Sequence, residues 1–371
     1  MRKIIILAAA VLTMAFSSIA STAQTVNNFT IKRGTNISHW LSQSNERGEA
    51  RRQHIKEEDF ARLEKLGFDF VRLPIDEEQF WDEKGNKLPE AWTLLTQALN
   101  WAEKHHLRTI VDLHIIRSHN FNAVNEGKTN VLFTSDEAQQ DFINMWYKLS
   151  DALKAYSVDS VAYEIMNEPV ADDHEQWNKL IFKAHKALRE REPQRTLVIG
   201  SNKWQSTWTF KYLRVPEGDK NIILSFHYYE PQALTHYGAH WTPVGRYRGK
   251  LTYPGQLISQ ADYDAAPDNL KPILKQYTSV WNRDRIAQDF RDAIDVAKKY
   301  GLQLYCGEWG VYEPVDRDLA YKWTRDMLWV FNKYNIAWAS WCYDNDFGFW
   351  DQKSQSFKDR PLVDLLTGKK K

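Results

Sequence analysis

The chain has 371 residues, with 49 Lys and Arg against 48 Asp and Glu, a formal charge of +1. Near-neutrality excludes a global field able to hold nucleic acid or an anionic membrane surface, so a substrate is expected to be neutral or recognised only locally. Two cysteines exclude a disulfide-stapled scaffold.

Arg2 and Lys3, an apolar run from Ile4 to Phe16, and small residues up to Ala23 read as a secretory signal over residues 1–23. The run is shorter than the roughly 20 apolar residues a membrane span needs. No Cys near the cut offers a lipid anchor. Export to the periplasm or medium is expected, with no membrane anchor. Residues 24–371 then read as a single domain without repeats or a Pro/Ser-rich linker. Losing Arg2 and Lys3 takes the formal charge from +1 to −1. The sequence carries no self-association stripe, and oligomeric state is left open.

Apolar β-branched runs alternate with amphipathic stretches along the mature chain. Strands are predicted at Gly34–His39, Phe68–Pro74, Arg108–His114, Ser160–Asn167, Arg195–Gly200, Ile222–His227, Leu302–Glu308 and Ile336–Trp341. Helical spacing fills the gaps at Ile55–Leu66, Ala91–Glu103, a Ser135-capped helix through Leu149, Glu175–Arg191, Arg285–Tyr300 and Asp318–Tyr334. Eight such βα units predict an α/β fold, a (β/α)8 TIM barrel. A doubly wound sheet would show a Gly-rich loop after its first strand. Here that strand runs into Ser38–His39–Trp40. The connection from Tyr228 to Trp281 is long and rich in rings, so it is expected to wall a cleft above the sixth strand.

Barrel enzymes work at the C-terminal ends of their strands. Those ends carry Arg72, His114, Asn167–Glu168, His227 with Tyr229, Glu308 and Trp341. Convergence of so many polar groups on one rim is hard to explain by packing. Two carboxylates on strands four and seven face each other across a barrel. That arrangement suits glycosidic cleavage at the retaining separation of about 5 Å. Glu308 is then the nucleophile, kept ionised by Arg72 and Tyr229. Glu168 is the acid/base, its pKa raised by the neighbouring charge. The Asn167 amide suits a sugar 2-hydroxyl. Cys306, two residues before Glu308, is expected to share its face and fill the barrel, unpaired with Cys342.

Val71–Arg72–Leu73–Pro74, Asp112–Leu113–His114, Met166–Asn167–Glu168–Pro169, His227–Tyr228–Tyr229, Gly307–Glu308–Trp309–Gly310 and Ser340–Trp341, in this order, resemble glycoside hydrolase family five. The resemblance implies the same two carboxylate roles. It also implies supporting roles for Arg72, His114, His227 and Tyr229, a glycone platform at Trp341, and no metal or cofactor. The chain departs from many members in the loop His114–Asn120, which helps shape glycone subsites. His39, Trp40 and Trp204 are further candidate sugar contacts. The expected activity is retaining hydrolysis of a neutral polysaccharide or oligosaccharide. Endo cleavage of β-1,4- or mixed-linkage glucan leads. A β-mannanase, an exo-acting β-glucosidase, and a non-catalytic carbohydrate-binding barrel are the alternatives.

Overall fold

A computed structural model describes residues 27–123 and 130–368. The signal segment read at residues 1–23 lies outside them. Eight parallel strands close into a barrel: β1 (Arg33–Asn36), β2 (Phe70–Asp76), β3 (Arg108–Ile115), β4 (Val161–Glu164), β5 (Leu197–Gly200), β6 (Ile222–His227), β7 (Gln303–Glu308) and β8 (Ala337–Ser340). Closure pairs Arg33 of β1 with Trp338 of β8. Helices alternate with the strands, as the hydrophobic period requires. Asp136–Leu153 begins where the Ser135 side chain accepts from the Ala138 N–H at 3.2 Å. Arg317–Tyr334 ends at Asn335 in the left-handed region. The predicted helix Arg285–Tyr300 is two helices, Arg283–Asp289 and Arg291–Tyr300, broken at Phe290.

The alternation of side chains along each strand sorts the barrel into layers. Inward residues at the lower level are apolar: Phe70, Ile110, Ala162, Val198, Ile223, Tyr305 and Ala337 form one buried cluster. Two residues further along come Arg72 on β2, Asp112 on β3 and Glu164 on β4, all fully buried. The barrel floor is thus a hydrophobic plug beneath a polar layer. Gly200 belongs to that layer because a Cβ there would lie 2.3 Å from the Gln205 amide. The outer faces of the strands pack on the helices through residues such as Val71, Leu73, Trp146, Leu224 and Phe331.

One expectation about facing is corrected. Cys306 packs in the outer cluster with the helices, not inside the barrel with Glu308. The β6–β7 register shifts between Phe226 and His227, so that Phe226 pairs with Cys306 but His227 with Glu308. This bulge inserts Gly307 and turns Glu308 inward. Both cysteines are free and buried.

The connection after β6 is not structureless. It holds short helices at Gln232–Thr235, Gln260–Asp264 and Lys271–Leu274, and a ribbon pairing Gly255–Gln256 with Val280–Trp281. No described helix is long and apolar enough to cross a membrane.

Candidate active site

Arg72 is the hub of the polar layer. Its Nε and Nη2 donate to the two oxygens of Glu164 at 2.7 and 3.2 Å. Nη2 also donates to Asn167 Oδ1 at 2.8 Å and lies 3.0 Å from Asp112 Oδ2. Nη1 donates to Asn36 Oδ1 at 3.0 Å and to Glu308 Oε1 at 2.8 Å. A single fully buried guanidinium therefore fixes residues on β1, β3, β4 and β7. The surrounding acids raise its pKa well above the usual value against the cost of burial.

Glu308 Oε2 accepts from Tyr229 OH at 3.0 Å. Glu168 receives no such pair of donors. Its Oε1 lies 2.9 Å from His227 Nδ1, and its backbone N–H donates to Gln205 Oε1 at 3.0 Å. The imidazole of His227 bridges the two acids, with the same Nδ1 3.6 Å from Glu308 Oε2. One oxygen of each carboxylate lies within 4.8 Å of the other. Among the described residues, Glu168, His227 and Glu308 are the one set of metal-ligating side chains that converge so closely. Arg72 already supplies the positive charge at Glu308.

Burial raises the pKa of both carboxyls. For Glu308 the Arg72 charge and the Tyr229 hydrogen bond work against it. Glu168 is pushed well above the ordinary range by burial and then by Glu308. A proton shared by the pair accordingly resides on Glu168. Burial and Arg72 depress the pKa of His227 far below that of a free imidazole, so it is neutral. His114 is also neutral, its pKa lowered to about 4 by burial. His114 Nδ1 lies 2.7 Å from Asp112 Oδ2, and its ring stacks 5.8 Å from that of Trp341. The Asn167 amide is oriented by Arg72 through its oxygen, which leaves a buried Nδ2 donor without a partner among the described residues. That donor is available to a ligand hydroxyl.

These groups open into a cleft of about 820 Å³ lined by His39, His114, Asn167, Glu168, Trp204, His227, Tyr229, Glu308 and Trp341. Arg72 lies beneath it. Trp40 is a correction: it is fully buried, its indole N–H donates to Arg51 O at 2.8 Å, and it does not line the cleft. His39 faces the cleft and meets Trp341 edge-on at 5.8 Å. Trp204 is anchored by an Nε1–H bond to Phe121 O at 3.0 Å. The atypical loop after β3 thus supports a cleft wall through Phe121. His119 of that loop serves structure, its Nε2 accepting from Val170 N–H at 3.2 Å. The long connection contributes Trp241, which is 42% exposed.

Sequence reasoning missed Asn36, Asp112, Glu164 and Gln205 as members of the site. Glu164 could have been found, since it precedes Glu168 by four positions at the same strand end. Gln205 could not. It reaches the site from a turn in which Lys203, Trp204 and Gln205 all adopt positive φ. Glu168 itself sits at φ 43°, a backbone state that marks functional rims.

The profile of cellulase (glycosyl hydrolase family 5) matches residues 26–347. Endoglucanase C of Acetivibrio thermocellus is 30% identical over 349 residues, covering 91% of this chain and 98% of that protein. Cellodextrinase A of Ruminococcus flavefaciens is 27% identical, covering 83% and 84%. Among solved structures, an endoglucanase superposes with a TM-score of 0.73 at 26% identity over 92% of this chain and 98% of its own. Cel5A of Thermotoga maritima in complex with mannotriose gives 0.72 at 25% identity with the same coverage.

Proposed function

The chain belongs to glycosyl hydrolase family 5, and from that membership we propose that it is a retaining endo-β-1,4-glucanase with Glu308 as nucleophile and Glu168 as acid/base. The observation that carries the roles is the asymmetry of two carboxylates within 4.8 Å. Glu308 holds two donors, whereas Glu168 holds an imidazole and a raised pKa. Two carboxylates this close suit direct attack by one of them, since an inverting site needs a wider gap to seat a water.

Glu308 attacks the anomeric carbon while Glu168 gives its proton to the departing glycosidic oxygen. The resulting glycosyl ester is opened by water, from which Glu168, now ionised, takes a proton. Asn167 Nδ2 donates to the 2-hydroxyl, and the Trp341 face receives the glycone. His227, kept neutral, stays bonded to Glu168 without adding a competing charge. A cellulosic substrate is supported by the endoglucanase relative aligned over nearly its whole length. The half-exposed Trp208 and Trp241 at the cleft rim suit a long chain. A β-mannan is the second reading, favoured by the neighbour solved with mannotriose. Export through residues 1–23 belongs to the same proposal and fits a polymer that cannot enter a cell.

The test is new reducing ends from soluble β-glucans and β-mannans incubated with residues 24–371, with Glu168→Gln as control. Short-chain products from β-1,4-glucan at early times, absent in the control, support the reading. Cleavage of mannan alone replaces the substrate. Glucose or cellobiose as the only early product replaces endo action by exo action.

A further inference from the structure

Beyond the two carboxylates the cleft has a second polar surface that the reaction above does not use. It is built by the end of the connection after β6 and the helix Arg283–Asp289. Trp281 lines the cleft and is only 2% exposed, yet its indole N–H has no partner among the described residues. The Arg285 guanidinium lies 4.6 Å from the centre of that ring, and its Nε donates to Asp289 Oδ1 at 2.9 Å. Asp289 Oδ2 accepts from Tyr228 OH at 2.8 Å. On the other flank, Glu230 Oε2 accepts from Tyr277 OH at 3.1 Å and from Gln232 N–H at 3.0 Å. The Tyr277 ring packs 6.0 Å from that of Trp281. Trp281, Arg285 and Glu230 all line the cleft that holds Glu168 and Glu308.

This frame is rigid before any ligand arrives, because each member is held by another. Leaving a buried N–H unpaired is costly unless an occupant satisfies it. The position of the frame says which occupant. The following helix, Arg291–Tyr300, packs against Thr207–Tyr212 after β5. Glu230 follows His227, the partner of Glu168, by three positions at the end of β6, so the frame flanks the β5–β6 rim. Glu168 protonates the leaving oxygen, so this is the leaving-group arm of the cleft.

We propose that Trp281, Arg285 and Glu230 form a distal subsite for a glucosyl unit on the leaving-group side. The indole N–H and the outer guanidinium nitrogens donate to its hydroxyl oxygens, and the Glu230 carboxylate accepts from one of its hydroxyls. The subsite rests on the β-1,4-glucan reading and adds to it a requirement for chain length beyond the cleaved bond. Alternating donors and acceptor on a preformed wall match the vicinal hydroxyls of a pyranose.

The test uses Trp281→Phe, which removes the N–H and keeps a ring, and Arg285→Lys, which keeps a cation for Asp289 and loses the guanidinium edge. For wild type and both variants, kcat/KM is measured on cellohexaose and on 4-nitrophenyl cellobioside, whose single-ring leaving group cannot reach the frame. The ratio of the two should fall about fivefold in each variant, mainly through KM on cellohexaose. Ratios unchanged in both folded variants of an active enzyme overturn the subsite alone. A wild-type enzyme that turns over the aryl substrate but leaves cellohexaose intact overturns the β-1,4-glucan reading, and the subsite with it.

Discussion

Glu168 and Glu308 differ in what they are bonded to, and their pH behaviour follows. In the proposed mechanism Glu308 works ionised, so activity should rise with pH through its pKa. In the same mechanism Glu168 works protonated, so activity should fall as pH rises through its higher pKa. A bell-shaped kcat/KM profile on cellohexaose is expected, and with Glu168→Gln the alkaline limb should vanish on a dinitrophenyl cellobioside, which needs no proton. On unactivated substrate the same variant should lose about 10²–10⁴-fold in kcat. A persistent alkaline limb would move the acid role to another group. The two carboxylates were legible because each ends a recognisable strand. The atoms that set their difference were less so. Arg72 was readable at its strand end, while its anchoring by Asn36, Asp112 and Glu164 depends on four strands meeting at one height.

At the scale of elements, the rim is braced by loops that grip one another. His119, after β3, accepts from the Val170 N–H after β4, and burial lowers its pKa to about 3. The folded state therefore takes up no proton there between pH 7 and 5, whereas the unfolded chain does. Stability from this group is present above the unfolded pKa of roughly 6.5 and is lost as pH falls toward 3. Between pH 7 and pH 5, wild type should lose about 2 kcal/mol more than His119→Gln in paired urea titrations. Equal losses would mean that His119 is protonated or open in the native loop. Trp241 belongs to the long wall and is backed edge-on by Tyr312 at 4.9 Å. Trp241→Ala should cost about 1 kcal/mol of polymer binding, read in KM, with little change in Tm. The wall could be foreseen from its length and rings. The bulge at Gly307 could not, because a bulge is a property of two strands in register, and the sequence of β7 alone predicts the wrong face for Cys306.

The whole molecule joins an apolar plug to a buried charged layer. Of the polar layer only Arg72 was read from the sequence, at its strand end; Asp112 and Glu164 join it at the same level above the apolar inward residues once the strands are in register. What alternation could not show is the charge balance once the barrel closes. One fully buried guanidinium faces Asp112, Glu164 and Glu308, with Glu168 beside them. Burial raises the pKa of every one of these four carboxyls, so at neutral pH the fold holds excess negative charge at a site it could stabilise more cheaply. Glu308→Gln keeps the side-chain shape and an oxygen for Arg72 while removing one of the charges. It should abolish turnover yet raise stability at pH 7 on the order of 1 kcal/mol, a Tm increase of about 2 °C by calorimetry. The gain should shrink on acidification, as the wild-type carboxyl takes up its own proton. A Tm that falls by several degrees would show instead that Arg72 needs the Glu308 charge to offset its burial, and that nucleophile and barrel stability are held by the same ion pair.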